Sequence, residues 1–594
     1  MPQTRRLEPM VLMLAAVLTL ALPRPAPGSP SQDLARLANV YWEGQLKAHP
    51  TMATSIGDRR YDDRLEDNTP AGIAAEQRRL EWVLGRARAI DEKRLGPPDR
   101  LTRSALIEDV QDQLAVASCH FEDWRVDPLD GPQVDFMNLP DITTIATFKD
   151  AQNYVARCKA MGRYMDVEIA NLRSGLKKGR TVSVQPLSKA LDELQALNGK
   201  PVEEWPLAQP LEKLHKDWTA SQREWFRKEL ISTERVVVKP AMKRYQDFLR
   251  TEIAPHARPQ DRAGLVALPG GADCYPKLIR VETSLDRGPE DLHRLGLAEV
   301  ARIRKELSAL GKKVLGTGDV ARIQKKLRSD PAMHFKNAAE VEAKARQALA
   351  RARAAIPRYF GLLPKAGCEV KVMGMHEAPN STIAYYRNPA ADGSRPGYYM
   401  INTYQPTTRP RYEAEALAFH ESIPGHHLQI AIAQELTGVP EFRKHQGVTA
   451  FVEGWGLYSE RLANEMGLYS GDLDRIGMLS YDAWRACRLV VDTGIHSMGW
   501  SRKQAIDYMV DNTVLAENNI ANEVDRYITW PAQALAYKCG QLEILRLREE
   551  AKQKLGRRFD IKKFHDAVLE NGAVALPLLR EQVEAWVAEE SGGK

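Results

Sequence analysis

The chain is organised around Phe419-His420-Glu421-Ser422-Ile423-Pro424-Gly425-His426-His427-Leu428-Gln429. This stretch places three of the 13 histidines of the 594-residue chain, and one carboxylate, within eight residues. A His-Glu pair followed by further histidine is typical of a helix that presents two imidazoles to a zinc ion and a carboxylate to the zinc-bound water. We therefore expect a catalytic Zn²⁺ site here, with Glu421 as the general base.

The spacing of the histidines departs from the usual HExxH pattern. In that pattern they stand at i and i+4 on one helix face, whereas here position i+4 is Pro424. Proline has no N–H to bond the carbonyl of His420, so we expect the helix to open or bulge after Glu421. Two residues absorbed there would move His426 into the i+4 position. His426 is therefore the first choice for the second zinc ligand, and His427, which would require a bent helix, is the alternative.

Three later motifs accompany this one: FVEGWGLYSERL (451–462), RLVVDTGIHSMGW (488–500) and EVDRYITWPAQALAYKCGQ (523–541). Together with HESIPGHHLQ they resemble the bacterial domain of unknown function 885 family, from the GDRRYDD stretch near residue 57 to about Arg548. That family is similar to the helical gluzincin metallopeptidases, which carry an HExxH helix and a downstream glutamate ligand. The resemblance implies a mostly α, large helical peptidase-like fold with a deep cleft between two helical halves.

The same resemblance implies a third zinc ligand from a neighbouring helix. Glu453 is the natural candidate, because it lies 27 residues after His426, a separation that suits a helix, a turn and a returning helix. Glu460 stands at i+7 from Glu453 on the same helix face. It is a candidate for the carboxylate that holds a ligand imidazole by its other nitrogen.

A hydrolase of this kind also needs a donor for the oxyanion, and helical gluzincins take a Tyr or a His from late in the chain. Tyr527 is the first choice here and Tyr537 the second. His496 is a third candidate, because Asp492 at i−4 could orient its ring. All three are predicted catalytic residues beside Glu421.

Cations are candidates for substrate binding. An enzyme that trims C-terminal residues needs one for the substrate carboxylate, ideally an arginine with its planar fork. Arg526, Arg485 and Arg488 lie in the motifs, as does Lys538. An ordinary salt bridge is the alternative role for each of them.

A change to period-two alternation precedes the metal helix. Glu369–Met375, Thr382–Arg387 and Tyr398–Thr403 are rich in Val, Ile, Thr and Tyr, and Asp392-Gly393 and Pro396-Gly397 provide turns. The pattern predicts a small antiparallel β-sheet next to the metal helix. In gluzincins an edge strand at this position pairs with the peptide, so Tyr398–Thr403, including Tyr398, is either the substrate-binding edge or a structural hairpin.

Apolar residues at three- and four-residue spacing predict helices over most of the remaining chain. The predicted segments include Ser31–Lys47, Pro70–Ile90, Leu101–Ala117, Asp150–Leu172, Pro289–Leu310, Val320–Lys326, Ala338–Ile356, Arg411–Glu421, Gln446–Met466, Ala486–Met498, Ser501–Met509 and Tyr527–Arg548. A Pro- and Gly-rich stretch at 253–271 favours a boundary. We expect an N-terminal helical half at 29–254 and a C-terminal half at 255–594 that carries the zinc site.

Residues 1–28 are predicted to be a signal peptide. Arg5 and Arg6 precede the apolar run Met10–Leu22 and a Pro- and Gly-rich exit. The run is short for a bilayer span, so an uncleaved anchor is the minority alternative. No cysteine follows until Cys119, which argues against lipid attachment at the leader. The mature chain is expected in the periplasm or outside the cell, without a membrane span.

Composition limits the remaining possibilities. The net charge of +6 is small against 84 basic and 78 acidic residues, so nothing indicates nucleic acid as a partner. The six cysteines lack CxxC spacing, which excludes zinc ribbons; disulfides are permitted, and buried free thiols are favoured for most. The sequence indicates no particular oligomeric state.

Three functions are compatible with these features. The first is a secreted zinc-dependent metallopeptidase that hydrolyses short peptides, of the oligopeptidase or carboxypeptidase type. The second is a zinc hydrolase of a non-peptide amide or ester. The third is a catalytically inactive helical binding protein that has kept the site. The complete His-Glu-His set with Glu453 argues against the third.

Overall fold

A computed structural model describes residues 29–592, except 376–377, 379–381, 391–392 and 394. The predicted leader, residues 1–28, lies outside the described residues, as does Asp392 of the predicted turn. Helix makes up 72% of the structure, which confirms the mostly α class. The deep cleft between two halves stays a prediction.

Helices before the sheet begin at positions suited to helix initiation. Ser29 and Thr69 cap the first turns of α1 and α3, and proline occupies the first position of both. The helices are α1 (Pro30–Ala48), α2 (Pro50–Ser55), α3 (Pro70–Ala89), α4 (Pro97–Ala117), α5 (Pro132–Ile142), α6 (Phe148–Lys177), α7 (Val184–Asn198), α8 (Ala220–Thr233), α9 (Lys239–Phe248), α10 (Gly271–Thr283), α11 (Pro289–Leu315), α12 (Val320–Ser329) and α13 (Ala338–Ala355).

The sheet consists of β1 (Cys368–Val372), β2 (Ala384–Arg387) and β3 (Gly397–Ile401), in the order β1-β3-β2. β3 pairs with β2 antiparallel and with β1 parallel. The predicted small sheet is confirmed, but it is mixed and not antiparallel throughout, because alternation identifies a strand but not its neighbours. Both edges of β3 are hydrogen-bonded within the sheet. The Tyr398–Thr403 segment thus has no free edge on which a substrate strand could pair.

The helices after the sheet carry the motifs. They are α14 (Ala414–Glu421), α15 (His426–Gln434), α16 (Glu441–His445), α17 (Thr449–Glu465), α18 (Asp472–His496), α19 (Arg502–Asn512), α20 (Glu517–Thr529), α21 (Ala536–Leu555), α22 (Ile561–Leu569) and α23 (Leu576–Gly592). The predicted helix Tyr527–Arg548 is wrong as a single element. Pro531 separates α20 from α21, because it cannot donate the backbone hydrogen bond that a continuous helix needs.

The apolar side chains form two principal cores. One is built from α5 to α9 and runs from Val126 to Ile253. The other joins Leu34–Val110 with residues of α11 and the helices after it. The boundary predicted at residue 254 coincides with the end of the first of these cores, while α1, α3 and α4 share the core of the C-terminal region. The division into two halves stays a prediction.

One disulfide, Cys119–Cys274, links the end of α4 to α10. The other four cysteines are buried free thiols, as expected for most of them: Cys158, Cys368, Cys487 and Cys539. Among the described residues, no helix is both long and apolar enough to cross a membrane.

Candidate metal centre

The helix that carries the His-Glu pair breaks where the proline predicts. α14 ends at Glu421, and α15 begins at His426 after the connection 422–425, in which the Ile423-Pro424 peptide is cis. The two histidines therefore lie on two separate helices and not on one helix with a bulge. A Cβ on Gly425 would lie 1.9 Å from the carbonyl oxygen of His420, so only glycine fits this turn. The break brings the His420 and His426 rings to 4.6 Å between centroids.

α17 packs against α14 and α15 and supplies two carboxylates. Oε2 of Glu453 lies 3.4 Å from Nε2 of His420 and 3.5 Å from Nε2 of His426. Zinc bonds of about 2.1 Å in tetrahedral geometry place neighbouring ligand atoms about 3.4 Å apart. Both distances from Glu453 therefore fit ligands of one zinc ion. Glu460 accepts a hydrogen bond from Nδ1 of His420 at 2.8 Å and fixes the orientation of that ring.

Glu421 lies beside this group. Its carboxylate and ligand atoms of His420 and His426 lie within 4.8 Å of one another, so Glu421 is a second carboxylate that could share a metal ion with both histidines. We favour Glu453 as the third ligand because its distances of 3.4 and 3.5 Å to the two histidine nitrogens match the zinc geometry. Glu421 is partly exposed and next to the ion position, as a general base requires, and burial raises its pKa.

The electrostatics of the set suit a cation. Burial disfavours the charged form of His420, but hydrogen bonds to Glu453 and Glu460 outweigh it and raise the pKa of His420 to about 9. Burial likewise disfavours the carboxylate of Glu453, but its contacts with His420 and His426 hold the pKa well below the ordinary value. The two imidazoles therefore converge on an ionised carboxylate, which is a donor set typical of zinc.

His427 is directed away from this group. Its Nδ1 accepts a hydrogen bond from the Tyr386 hydroxyl at 2.9 Å, and its Nε2 donates to the carbonyl oxygen of Ala366 at 3.1 Å. Burial lowers the pKa of His427 to about 4, which keeps the ring neutral in these contacts. Both ring nitrogens are occupied, so the geometry favours His426 over His427 as a ligand.

Three residues that the sequence reasoning did not select position the site. The Trp455 indole donates to the carbonyl oxygen of Pro424 at 2.9 Å and anchors the break to α17. Ser459 donates to the carbonyl oxygen of Phe419. A Cβ on Gly456 would lie 2.7 Å from Cε1 of His420, so the absence of a side chain lets the ring lie against α17. The Gly454-Trp455-Gly456 run between Glu453 and Glu460 was the sequence feature that could have indicated this close packing.

The group is open on one side. The side chains of His426 and Glu453 are 10% and 21% exposed, compared with 3% for His420. A cavity of about 1010 Å³ lies between α1–α4 and the start of α17, where Val448 and Thr449 line it. Its lining includes none of the three predicted ligands, but Thr449 stands one turn before Glu453. The ligands therefore lie outside this cavity, and the exposed fractions of His426 and Glu453 are the access for water and substrate that the described residues show.

Two of the predicted oxyanion donors are occupied elsewhere. Nε2 of His496 donates to the carbonyl oxygen of Tyr527, and its Nδ1 accepts from the Leu265 N–H, so neither nitrogen is available to a substrate. The predicted Asp492–His496 pair does not form, because Asp492 bonds to the Tyr275 hydroxyl and to a backbone N–H. The Tyr527 hydroxyl accepts hydrogen bonds from the side chains of Trp484 and Arg488 and donates its own proton to the Glu523 carboxylate.

Tyr537 lies closer to the metal group. Its ring stacks on that of His420 with centroids 6.4 Å apart, because α21 packs along α17. Its hydroxyl forms no hydrogen bond with another described residue. The geometry therefore favours Tyr537 over Tyr527, which reverses the order expected from the sequence.

The predicted substrate cations differ in their partners. Arg526 pairs with Glu523 at 3.2 Å. Lys538 is fully buried, and its ammonium donates hydrogen bonds to Asp482 and Gln541 within the core. Tyr398 lies on the central strand under the cations of Lys371 and Arg395, without a contact to the metal group in the described structure.

Arg488 and Arg485 lie closer to the site. Arg488 bonds to Tyr527 and Glu523. Arg485 forms no ion pair or hydrogen bond among the described residues, and its guanidinium lies 5.8 Å from the Tyr537 ring. It is the predicted cation that the structure leaves without an anion.

The protein is mostly α, and His420, His426 and Glu453 form its candidate metal centre. A family model for a bacterial protein of unknown function (DUF885) matches residues 50–583, and the chain belongs to this family. The fold is similar to a crystal structure of "the putative lipoprotein from Colwellia psychrerythraea", with 28% identity, a TM-score of 0.88, and coverage of 95% of this chain and 100% of that one.

A second solved structure, "a putative lipoprotein of unknown function from Shewanella oneidensis", shares the fold. It is 18% identical with a TM-score of 0.73, covering 92% of this chain and 99% of that one. No curated protein matches the chain.

The choice between His426 and His427 can be tested by substitution. His426→Ala removes a ligand atom and should purify without stable zinc, whereas His427→Ala should retain one zinc per chain, because it loses only contacts to Tyr386 and Ala366. Zinc content after gel filtration, measured by plasma mass spectrometry, distinguishes them. The opposite result would identify His427 as the ligand.

Gly456→Ala tests the packing of His420 against α17. The added Cβ displaces a ring that Glu460 holds, so zinc affinity measured by chelator competition should fall by about 10–100-fold. Gly85→Ala on α3 is the control, because its Cβ would meet nothing within 4 Å; it should leave zinc affinity unchanged and stabilise the helix by up to about 1 kcal/mol. Equal zinc affinities in both variants would contradict the packing argument.

Proposed function

We propose that this protein is a zinc-dependent hydrolase of short peptides. The observation that carries the proposal is the convergence of His420 Nε2, His426 Nε2 and Glu453 Oε2, whose separations of 3.4 and 3.5 Å fit a tetrahedral zinc with one position left open. Glu421 beside that position supplies the acid–base group that hydrolysis needs.

The residues would divide the chemistry as follows. Bound zinc lowers the pKa of a water molecule to about 7 and polarises the substrate carbonyl. Glu421 accepts the proton of the attacking water and delivers it to the leaving amine. Burial raises the pKa of Glu421 above its ordinary value, which makes this carboxylate a better proton acceptor than an exposed one. Tyr537, stacked on His420, is the proposed hydrogen-bond donor to the oxyanion.

The resemblance of the motifs to helical gluzincins favours a peptide over other amides and esters. The same group of residues would also hydrolyse a non-peptide amide or an ester, so the substrate class rests on that resemblance. A binding protein without activity has no use for Glu421, which is neither a proposed ligand nor part of a hydrogen-bonded core network.

We also propose that the mature protein acts outside the cytoplasm. The predicted leader at 1–28 and the similarity to the Colwellia psychrerythraea protein, which is described as a putative lipoprotein, support export. The Cys119–Cys274 disulfide supports it independently, because disulfides persist in oxidising compartments.

Glu421→Gln tests the proposed function. The variant should hold one zinc per chain like the wild type, while hydrolysis of a peptide library, read by mass spectrometry, should fall by about 10²–10⁴-fold, because proton transfer is lost. Glu549→Gln, on the exposed face of α21, is the matched control and should change neither quantity. If the zinc-loaded wild type cleaves ester or amide probes but no peptide, the alternative substrate class is correct. Activity retained in Glu421→Gln would remove Glu421 as the base.

A further inference from the structure

An unpaired buried arginine stands next to the candidate metal centre. Arg485, on α18, is 5% exposed, and its Nε and Nη1 atoms are fully buried without a hydrogen-bond partner among the described residues. A guanidinium is charged at all physiological pH values, and a buried charge without a partner is strongly disfavoured. An anion supplied from outside the chain would remove this penalty.

Aromatic rings hold the guanidinium of Arg485 in place, while the carboxylates of Glu413 and Glu421 act on it through space without an ion pair or hydrogen bond. Its central carbon lies 4.5 Å from the ring centroid of Tyr481 and 4.1 Å from that of Trp484. Rings in this arrangement contact the face of a guanidinium, and its N–H donors point along the edge. The planar edge can therefore bind a carboxylate with two parallel hydrogen bonds.

Arg485 lies close to the candidate metal group. The Tyr537 ring lies 6.4 Å from the His420 ring and 5.8 Å from the Arg485 guanidinium, so it connects the two. Arg485 is also within electrostatic range of Glu421. An anion bound at Arg485 would thus lie beside the proposed base and oxyanion donor, within reach of a substrate held there.

The other nearby cations do not offer this site. Arg488 has Glu523 as its ion-pair partner, and Arg526 shares that carboxylate. Lys538 is paired with Asp482. A strand-pairing mode of binding to β3 is excluded by its two occupied edges. Of these four cations, Arg485 is the one that has no anionic partner within ion-pair distance among the described residues.

We infer that Arg485 binds the C-terminal carboxylate of the substrate, so that the enzyme removes one or two residues from the C-terminal end of a peptide. This inference rests on the proposed function, since it specifies the substrate of that site. The carboxylate would be held by the guanidinium edge while the preceding amide bond reaches Glu421 and the zinc position.

The test uses two peptides of identical sequence that end in a free acid or in a carboxamide. The zinc-loaded wild type should cleave the acid with a kcat/KM at least about 10²-fold above that for the amide, because a site built for a group rejects the analogue that lacks it. Arg485→Lys keeps a charge but loses the planar fork, so this ratio should fall below about 10-fold through slower cleavage of the acid.

Arg475→Lys is the matched control on the same helix, because Arg475 already has Asp472 and Asn464 as partners. It should keep the wild-type ratio. A merely structural role of Arg485 would lower cleavage of both peptides equally and would be accompanied by a lower melting temperature or zinc content.

Binding to the zinc-loaded Glu421→Gln protein, measured by calorimetry, separates the inference from the proposed function. We expect the acid to bind more tightly than the amide by at least about 10-fold, and the preference to disappear in Glu421→Gln/Arg485→Lys. Selective binding without wild-type hydrolysis would keep the inference and overturn the peptidase function. Equal binding of the two peptides, or their hydrolysis at equal rates, would overturn the inference about Arg485. Hydrolysis of both peptides at equal rates would still be consistent with the proposed peptidase function.

Discussion

The imidazole of His420, held between two carboxylates of α17, is the contact on which the candidate centre depends. Glu460 fixes Nδ1, and Glu453 lies 3.4 Å from Nε2, so the ring is oriented before any ion binds. Gly456 lies between them and provides the space for the ring. Removing one partner of a buried pair costs about 3–5 kcal/mol, so the pairing couples the stability of the helix contact to the geometry of the site.

The other parts of the centre are positioned around this contact. The break between α14 and α15 turns His426 towards Glu453, and the Trp455 indole holds the break in place. α21 packs along α17 and brings Tyr537 onto His420. α18 then places Arg485 beyond Tyr537. The proposed base, ligands, oxyanion donor and carboxylate site thus come from five helices, α14, α15, α17, α18 and α21, that all pack near one imidazole.

Local rules in the sequence predicted the mostly α fold and the break at Pro424, because proline chemistry acts within one turn. Helix periodicity also predicted the shared face of Glu453 and Glu460. The neighbours of β3 were not predictable, since alternation does not specify pairing. The preference for Tyr537 over Tyr527 depends on how α21 crosses α17, and the isolation of Arg485 depends on which carboxylates distant segments supply. Such long-range contacts leave no periodic signal.

The central claim is that His420, His426 and Glu453 bind one zinc ion. A crystal structure of the zinc-loaded protein, with anomalous scattering measured on both sides of the zinc absorption edge, tests it most directly. The account predicts one anomalous peak within about 2.0–2.2 Å of both His Nε2 atoms and a Glu453 oxygen, with Glu421 outside this shell. A peak bonded to His427, or no peak at this position in protein that carries stoichiometric zinc, would contradict it.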